Sequence, residues 1–170
     1  PDGRVIAISN IGYQGVPCVN GSDAVGNMVL YNPKDKSMRR LTFDQDANWN
    51  PVIMNNGRVM YTRWEYTDLT HYYSRIVMHM NPDGTENKAL YGSGAMFPNS
   101  TFDVQPLPGH GSAFVGIISG HHGVARSGRM IIFDPTKGRK STAGMVQEIP
   151  HRNRPIKEEI KDQLVNGVWP

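Results

Sequence analysis

Three apolar strands that each run into a proline turn recur along the chain: Met28-Val29-Leu30-Tyr31-Asn32-Pro33, Val77-Met78-His79-Met80-Asn81-Pro82 and Met130-Ile131-Ile132-Phe133-Asp134-Pro135. Their prolines lie 49 and then 53 residues apart. A second landmark, Gly-Arg-Val leading into alternating residues, stands at Gly3-Arg4-Val5-Ile6-Ala7-Ile8 and again 54 residues on at Gly57-Arg58-Val59-Met60-Tyr61-Thr62. Its third copy is degenerate, at Ser112-Ala113-Phe114-Val115-Gly116-Ile117. A third landmark places an aromatic just before proline, at Trp49-Asn50-Pro51, Phe97-Pro98 and Trp169-Pro170. Three landmarks repeated in one order restrict the chain to a repeat architecture.

A period near 50 residues matches the blades of a β-propeller, each a meander of four short antiparallel strands, A to D. The expected fold class is all-β: a β-propeller fragment of about three four-stranded antiparallel blades, with one short helix near the C-terminus. In the central repeat, strand A falls near 51–54, B over 58–63, C over 75–80 and D over 88–91. These runs are rich in Val, Ile, Tyr and Met, as strands require. Asn56-Gly57 joins A to B and Pro82-Asp83-Gly84 joins C to D, both supplying the positive φ of tight hairpins. The whole chain, 1–170, reads as part of one propeller domain with approximate repeats 1–46, 47–94 and 95–168. It enters at a strand B, and the strand A of a next blade begins near 169. The helix is expected over 155–164, where Ile156, Ile160 and Leu164 share one face.

Composition narrows the function classes. Eighteen Lys and Arg are scattered, the formal charge is only +3, and no basic stripe interleaves with aromatics, so no nucleic-acid partner is expected. No apolar run is long enough for a membrane span. A lone cysteine, Cys18, excludes an internal disulfide, an all-cysteine zinc site and a Cys-x-x-Cys-His haem attachment within these residues. Cys18 lies between Pro17 and Val19 with no neighbouring base to activate it, and reads as a buried structural thiol. The chain opens on Pro-Asp-Gly and reads as a piece of something larger.

The chemistry falls on the loops. In an up-and-down blade the A–B and C–D turns lie on one face, and the B–C and D–A connections lie on the other. Here the first class is short. The second is long and rich: 10–26, 64–74 and 120–127 between B and C, and 43–49 between D and A. Loops held on a rigid scaffold are where binding residues concentrate. Candidate ligand-binding residues are Arg63, Trp64, Glu65, Tyr66, His121, His122 and Arg126. Arg63 can clamp a carboxylate or pair with Glu65; Trp64 can stack on a ligand or cover a blade edge. His71, His121, His122 and Asp68, with Asp23 or Glu65 as further acids, form a candidate transition-metal set. Adjacent His121 and His122 point to opposite sides of an extended chain, which works against both binding one ion. Asp44-Gln45-Asp46 with Asn48 resembles an oxygen-rich calcium loop, without the Gly and Glu of an EF-hand.

Asn81-Pro82-Asp83-Gly84-Thr85 and Arg39-Arg40-Leu41-Thr42 resemble the repeats of the Tol-system propeller of the bacterial periplasm. Gly15-Val16-Pro17-Cys18-Val19-Asn20-Gly21, Leu41-Thr42-Phe43-Asp44, Tyr61-Thr62-Arg63-Trp64-Glu65-Tyr66 and Ser119-Gly120-His121-His122-Gly123 are similar to the propeller middle domain of hydrazine synthase α-subunit-like proteins. That resemblance covers nearly the whole chain. It implies export to the periplasm or the extracellular space, and partner domains elsewhere in a parent chain.

The reading that needs only these features is a non-catalytic module binding a protein, glycan or small ligand through the B–C and D–A loop face. The alternative is the propeller portion of a hydrazine synthase-like redox enzyme, contributing residues to a neighbouring haem or metal site. Open blade edges also make self-association an expectation.

Overall fold

A computed structural model describes residues 2–17, 20–64, 75–93, 100–119, 129–140 and 142–150. It is all-β, as expected, and its strands form three successive antiparallel meanders. The first contains β1 (Val5–Ser9), β2 (Asn27–Asn32) and β3 (Ser37–Arg40). The second contains β4 (Asn48–Ile53), β5 (Val59–Trp64), β6 (Arg75–Met80) and β7 (Lys88–Tyr91). The third contains β8 (Ser100–Pro106), β9 (Phe114–Ser119), β10 (Arg129–Phe133) and β11 (Met145–Ile149). Strand order follows chain order in each, so the first meander supplies B, C and D and the others supply A to D. Among the described residues, the second and third sheets meet at a single parallel pair, Arg75 with Ser100. The helix expected over 155–164, the landmarks Phe97-Pro98 and Trp169-Pro170, and Cys18 lie outside the described residues.

Local chemistry explains the turns. Gly57 and Gly84 hold φ of 79° and 88°, the left-handed values that the two hairpins demand. After strand C, an Asp side chain caps each turn. Asp83 Oδ1 accepts from Thr85 N at 3.0 Å and Oγ1 at 2.6 Å, and Asp134 Oδ1 accepts from Thr136 N at 3.0 Å and Oγ1 at 2.6 Å. In the first repeat Asp35 Oδ1 accepts from Ser37 N at 2.9 Å. These bonds favour the ionised form and hold all three carboxyls below their usual range.

Packing is between sheets. Met28, Leu30 and Leu41 of the first repeat meet Val59, Tyr61, Ile76, Met78 and Met80 of the second. On the other side, Met54, Met60, Val77, Leu90 and Tyr91 meet Val104, Phe114, Ile118, Ile131 and Phe133 of the third. Successive residues of β5 therefore serve opposite cores, which is why the middle strands read as unbroken apolar runs rather than alternating ones. Tyr91 stacks on Phe133 with centroids 4.5 Å apart, and burial pushes its phenol up to about 12.

One landmark was out of register. Strand β4 is irregular between Trp49 and Val52, and β8 is irregular between Phe102 and Gln105. Asn50 and Asp103 in these bulges have φ of 54° and 51°. The structural counterpart of Trp49-Asn50 is thus Phe102-Asp103, not Phe97-Pro98. In both described bulges an aromatic is followed by a left-handed Asx residue.

Candidate functional site

In each meander the connection from B to C and the exit from D leave at the same end. The first repeat shows both loops, 10–26 and 41–47, apart from residues 18 and 19. They are stitched together. Val16 N donates to Asp23 O at 2.8 Å, and Val25 N donates to Gln14 O at 2.8 Å, folding the longer loop back on itself. Gln14 Nε2 donates to Gln45 O at 3.0 Å, and Asn48 N donates to Gly26 O at 2.8 Å, tying that loop to the D–A connection.

Beneath them is a buried polar knot. Thr42 Oγ1 accepts from Met28 N at 2.9 Å and from Asn48 Nδ2 at 3.2 Å, and all three residues are buried. Asn48 Nδ2 also donates to Asp44 Oδ2 at 3.0 Å. The other carboxylate oxygen, Oδ1, lies 3.2 Å from Arg63 Nη2. Arg63 thus meets a carboxylate from the preceding D–A loop, an alternative absent from the two expected for it. Asp44 spends its oxygens on Asn48 and Arg63, and among the described residues no three His, Cys, Asp or Glu side chains gather as metal ligands. Burial, and then the Asp44 charge, push the Tyr61 phenol up.

Trp64 is buried. Its ring stacks on Trp49 at 6.1 Å and 23°, and the Arg75 guanidinium sits 3.8 Å from the Trp64 ring centre. The Trp64 N–H of the backbone donates to Ala47 O at 3.0 Å, which fixes the end of β5 to the D–A loop. With Val16 and Val25 these rings form a small core directly under the loops. Glu65, Tyr66, Asp68, His71, His121, His122 and Arg126 lie outside the described residues. Of the candidate ligand-binding residues, Arg63 and Trp64 are the ones the structure describes; of the metal candidates it describes Asp23, which is exposed on the longer loop. It brings Arg63 and Trp64 to one end of β5, with Asp44, Trp49 and Arg75 around them.

The surface above carries two aromatics that sequence reasoning did not single out. Tyr13 is 92% exposed and Phe43 is 74% exposed, each on one of the two stitched loops. Arg40 lies over the Phe43 ring, 4.7 Å from its centre, and donates from Nε to Thr42 O at 2.7 Å. Their signal was available: an aromatic flanked by Gly, Gln, Thr or Asp in a loop has no apolar neighbours to bury it with.

No protein-family model matches the sequence, and no curated protein matches it. Among solved structures, the chain is similar to the tricorn protease, with a TM-score of 0.48 and 15% identity. The match covers 91% of this chain and 13% of that one. Among the described residues, no helix is long and apolar enough to cross a membrane.

Proposed function

We propose that this chain is a non-catalytic binding module, a propeller arc within a larger exported protein, and that it engages a protein surface through its B–C and D–A loop face. The observation that carries this reading is the pair of stitched loops in the first repeat, which hold Tyr13 and Phe43 out in water. Large aromatics cost solvation when left exposed, and on protein surfaces they and Arg are the side chains that anchor interfaces. A knot of buried Thr42 and Asn48 with half-buried Asp44 and Arg63 fixes the loops from below, so little ordering entropy is left to be lost on binding. The similarity of its motifs to hydrazine synthase α-subunit-like proteins supports export and a parent chain, whose other domains are the nearest partners. The tricorn likeness contributes nothing to this assignment.

The test is site-directed photocrosslinking in the full-length protein. A photoreactive side chain at position 43 or 13 should yield adducts to another polypeptide segment, whereas the same probe at Lys88, on an outer strand, should not. Equal labelling at all three positions, or none at 13 and 43, would sink the proposal. Adducts only to glycan would replace the protein partner with a carbohydrate one.

A further inference from the structure

The core between the second and third sheets ends in charge. Met60 and Val77 lie in that core, and His79 shares their face, paired with Met60 on β5 and with Lys88 on β7. Arg58 joins the same face: Nε donates to His79 Nδ1 at 2.9 Å, Nη1 to Asn81 Oδ1 at 2.5 Å and Nη2 to Glu86 O at 2.7 Å. Because His79 accepts at Nδ1, its proton sits on Nε2, which is left as a donor. Glu86 Oε2 lies 3.3 Å from both Arg58 Nη1 and Lys88 Nζ, so one carboxylate serves two cations. The turn after β10 is laid against the end of β7. Gly92 N donates to Arg139 O at 2.8 Å, and a Cβ on Gly144 would lie 2.9 Å from Tyr91 Cε2. That turn carries Lys137, Arg139 and Lys140, all exposed, and among the described residues Arg139 makes no ion pair. Burial first, then the charges of Arg58, Arg139 and Lys88, with Glu86 opposing them, hold the His79 imidazole below the usual histidine range. One interface earlier the same place is complementary. Leu30 and His79 each stand three residues before a turn proline, and they pair with Arg39 and Lys88 respectively. Arg39 Nη2 donates to Asp83 O at 2.8 Å, on a turn whose charged side chains, Asp83 and Glu86, are acidic. The turn that meets the Lys88 strand exposes basic ones instead.

We propose that His79, Lys88 and Arg139 form a site for a tetrahedral oxyanion, phosphate or a phosphate monoester, at the turn end of the interface between the second and third sheets. The donors are the His79 Nε2–H, the Lys88 ammonium and the Arg139 guanidinium. They come from β6, from β7 and from the turn after β10, and donors on three separate elements suit an anion with three or four acceptor oxygens better than the two of a carboxylate. Arg58 is a positioning residue: its N–H groups are spent on His79, Asn81 and Glu86, and it fixes the imidazole tautomer. The anion supplies the negative charge that the Asp83 turn supplies one interface earlier. Like charges that repel one another across the two sheets become a clamp once they share it. The site lies at the opposite end of the sheets from the B–C and D–A loops and stands apart from the binding face proposed there.

The chain is titrated with inorganic phosphate at constant ionic strength, chloride making up the balance, and followed by thermal melting and by the ring-proton resonances of His79. Saturable binding is expected, with a melting midpoint that rises with phosphate. His79 should titrate at higher pH in phosphate than in chloride, because a bound anion favours the imidazolium. Lys88→Gln and Arg139→Gln should each weaken phosphate binding at least tenfold, while Arg39→Gln should leave it unchanged. Arg139→Glu supplies the missing carboxylate, so it should raise the midpoint in chloride and abolish the response to phosphate. Methyl phosphate is run beside the inorganic ion: tighter binding of the ester assigns the site to an esterified group, tighter binding of the free ion to phosphate itself, and either supports it. No saturable response would overturn the proposal. So would an equal response to acetate, which marks an adventitious ion only, or full phosphate affinity in the Lys88 and Arg139 variants.

Discussion

Asn50 donates from Nδ2 to Asp103 Oδ1 at 2.9 Å, and the two residues hold the same position in the A strands of successive repeats. Both are left-handed, and each sits where its strand bulges. Asn50→Val forces a β-branched residue into that conformation and removes the donor, so it should cost about 1–3 kcal/mol. Asn50→Gly meets the backbone demand and should cost less. Urea unfolding of the two variants separates the conformational effect from the bond.

Thr42 serves two buried donors with one hydroxyl. Thr42→Val keeps the shape and leaves both Met28 N and Asn48 Nδ2 short of an acceptor, for an expected loss of about 1–3 kcal/mol. Thr42→Ser keeps the oxygen and should retain most of the stability. The difference between their denaturant midpoints is the measurement.

Arg63 and Asp44 should be energetically coupled. Both side chains are largely buried, at 23% and 12% exposure, so solvent screens the pair less than a surface bridge. A double-mutant cycle of Arg63→Gln with Asp44→Asn should return about 1–2 kcal/mol of interaction. A value near zero would show that Asp44 matters only through Asn48.

His79 gives the fold a defined acid response. Its Nδ1 accepts from Arg58 Nε at 2.9 Å, and burial followed by the Arg58 charge holds the imidazole below the usual histidine range. The unfolded chain therefore binds the proton more readily. Stability is complete above the ordinary value of 6.5 and falls as pH drops below it toward the folded-state value. His79→Gln can keep an acceptor without titrating, and should flatten the decline measured between about pH 7 and about pH 5.

Tyr13→Ser with Phe43→Ser should change stability by less than about 0.5 kcal/mol, because both rings are already in water. Crosslinking from a probe at position 40 should nevertheless fall severalfold. Thermal melts beside the crosslinking gels check both halves.

Much of the fold was legible because blades announce themselves locally. An apolar strand and the Asx-Pro step that ends it are set by near neighbours, and the B, C and D strands of the middle repeat fell within a residue or so of expectation. Strand A was harder. Its identity rests on a bulge, and the aromatic that marks it at Phe102 was displaced by a superficially similar Phe97-Pro98. The site was less legible still. Arg63, for which the sequence offered Glu65, a residue outside the described ones, meets Asp44. Asp44 reaches it only because the D–A loop folds across the end of β5. Nor did sequence reveal that Trp64 lies against both Trp49 and Arg75, a meeting of three different strand ends.

The parallel pair between Arg75 and Ser100, single among the described residues, has a mechanical consequence. Within each meander, force along the chain meets ladders of backbone bonds; between the second and third it meets one pair and a layer of side chains. Pulled from its ends, the chain should yield in stages rather than all at once. Each stage should release about 50 residues, or about 170 Å of contour, as one sheet peels from the next.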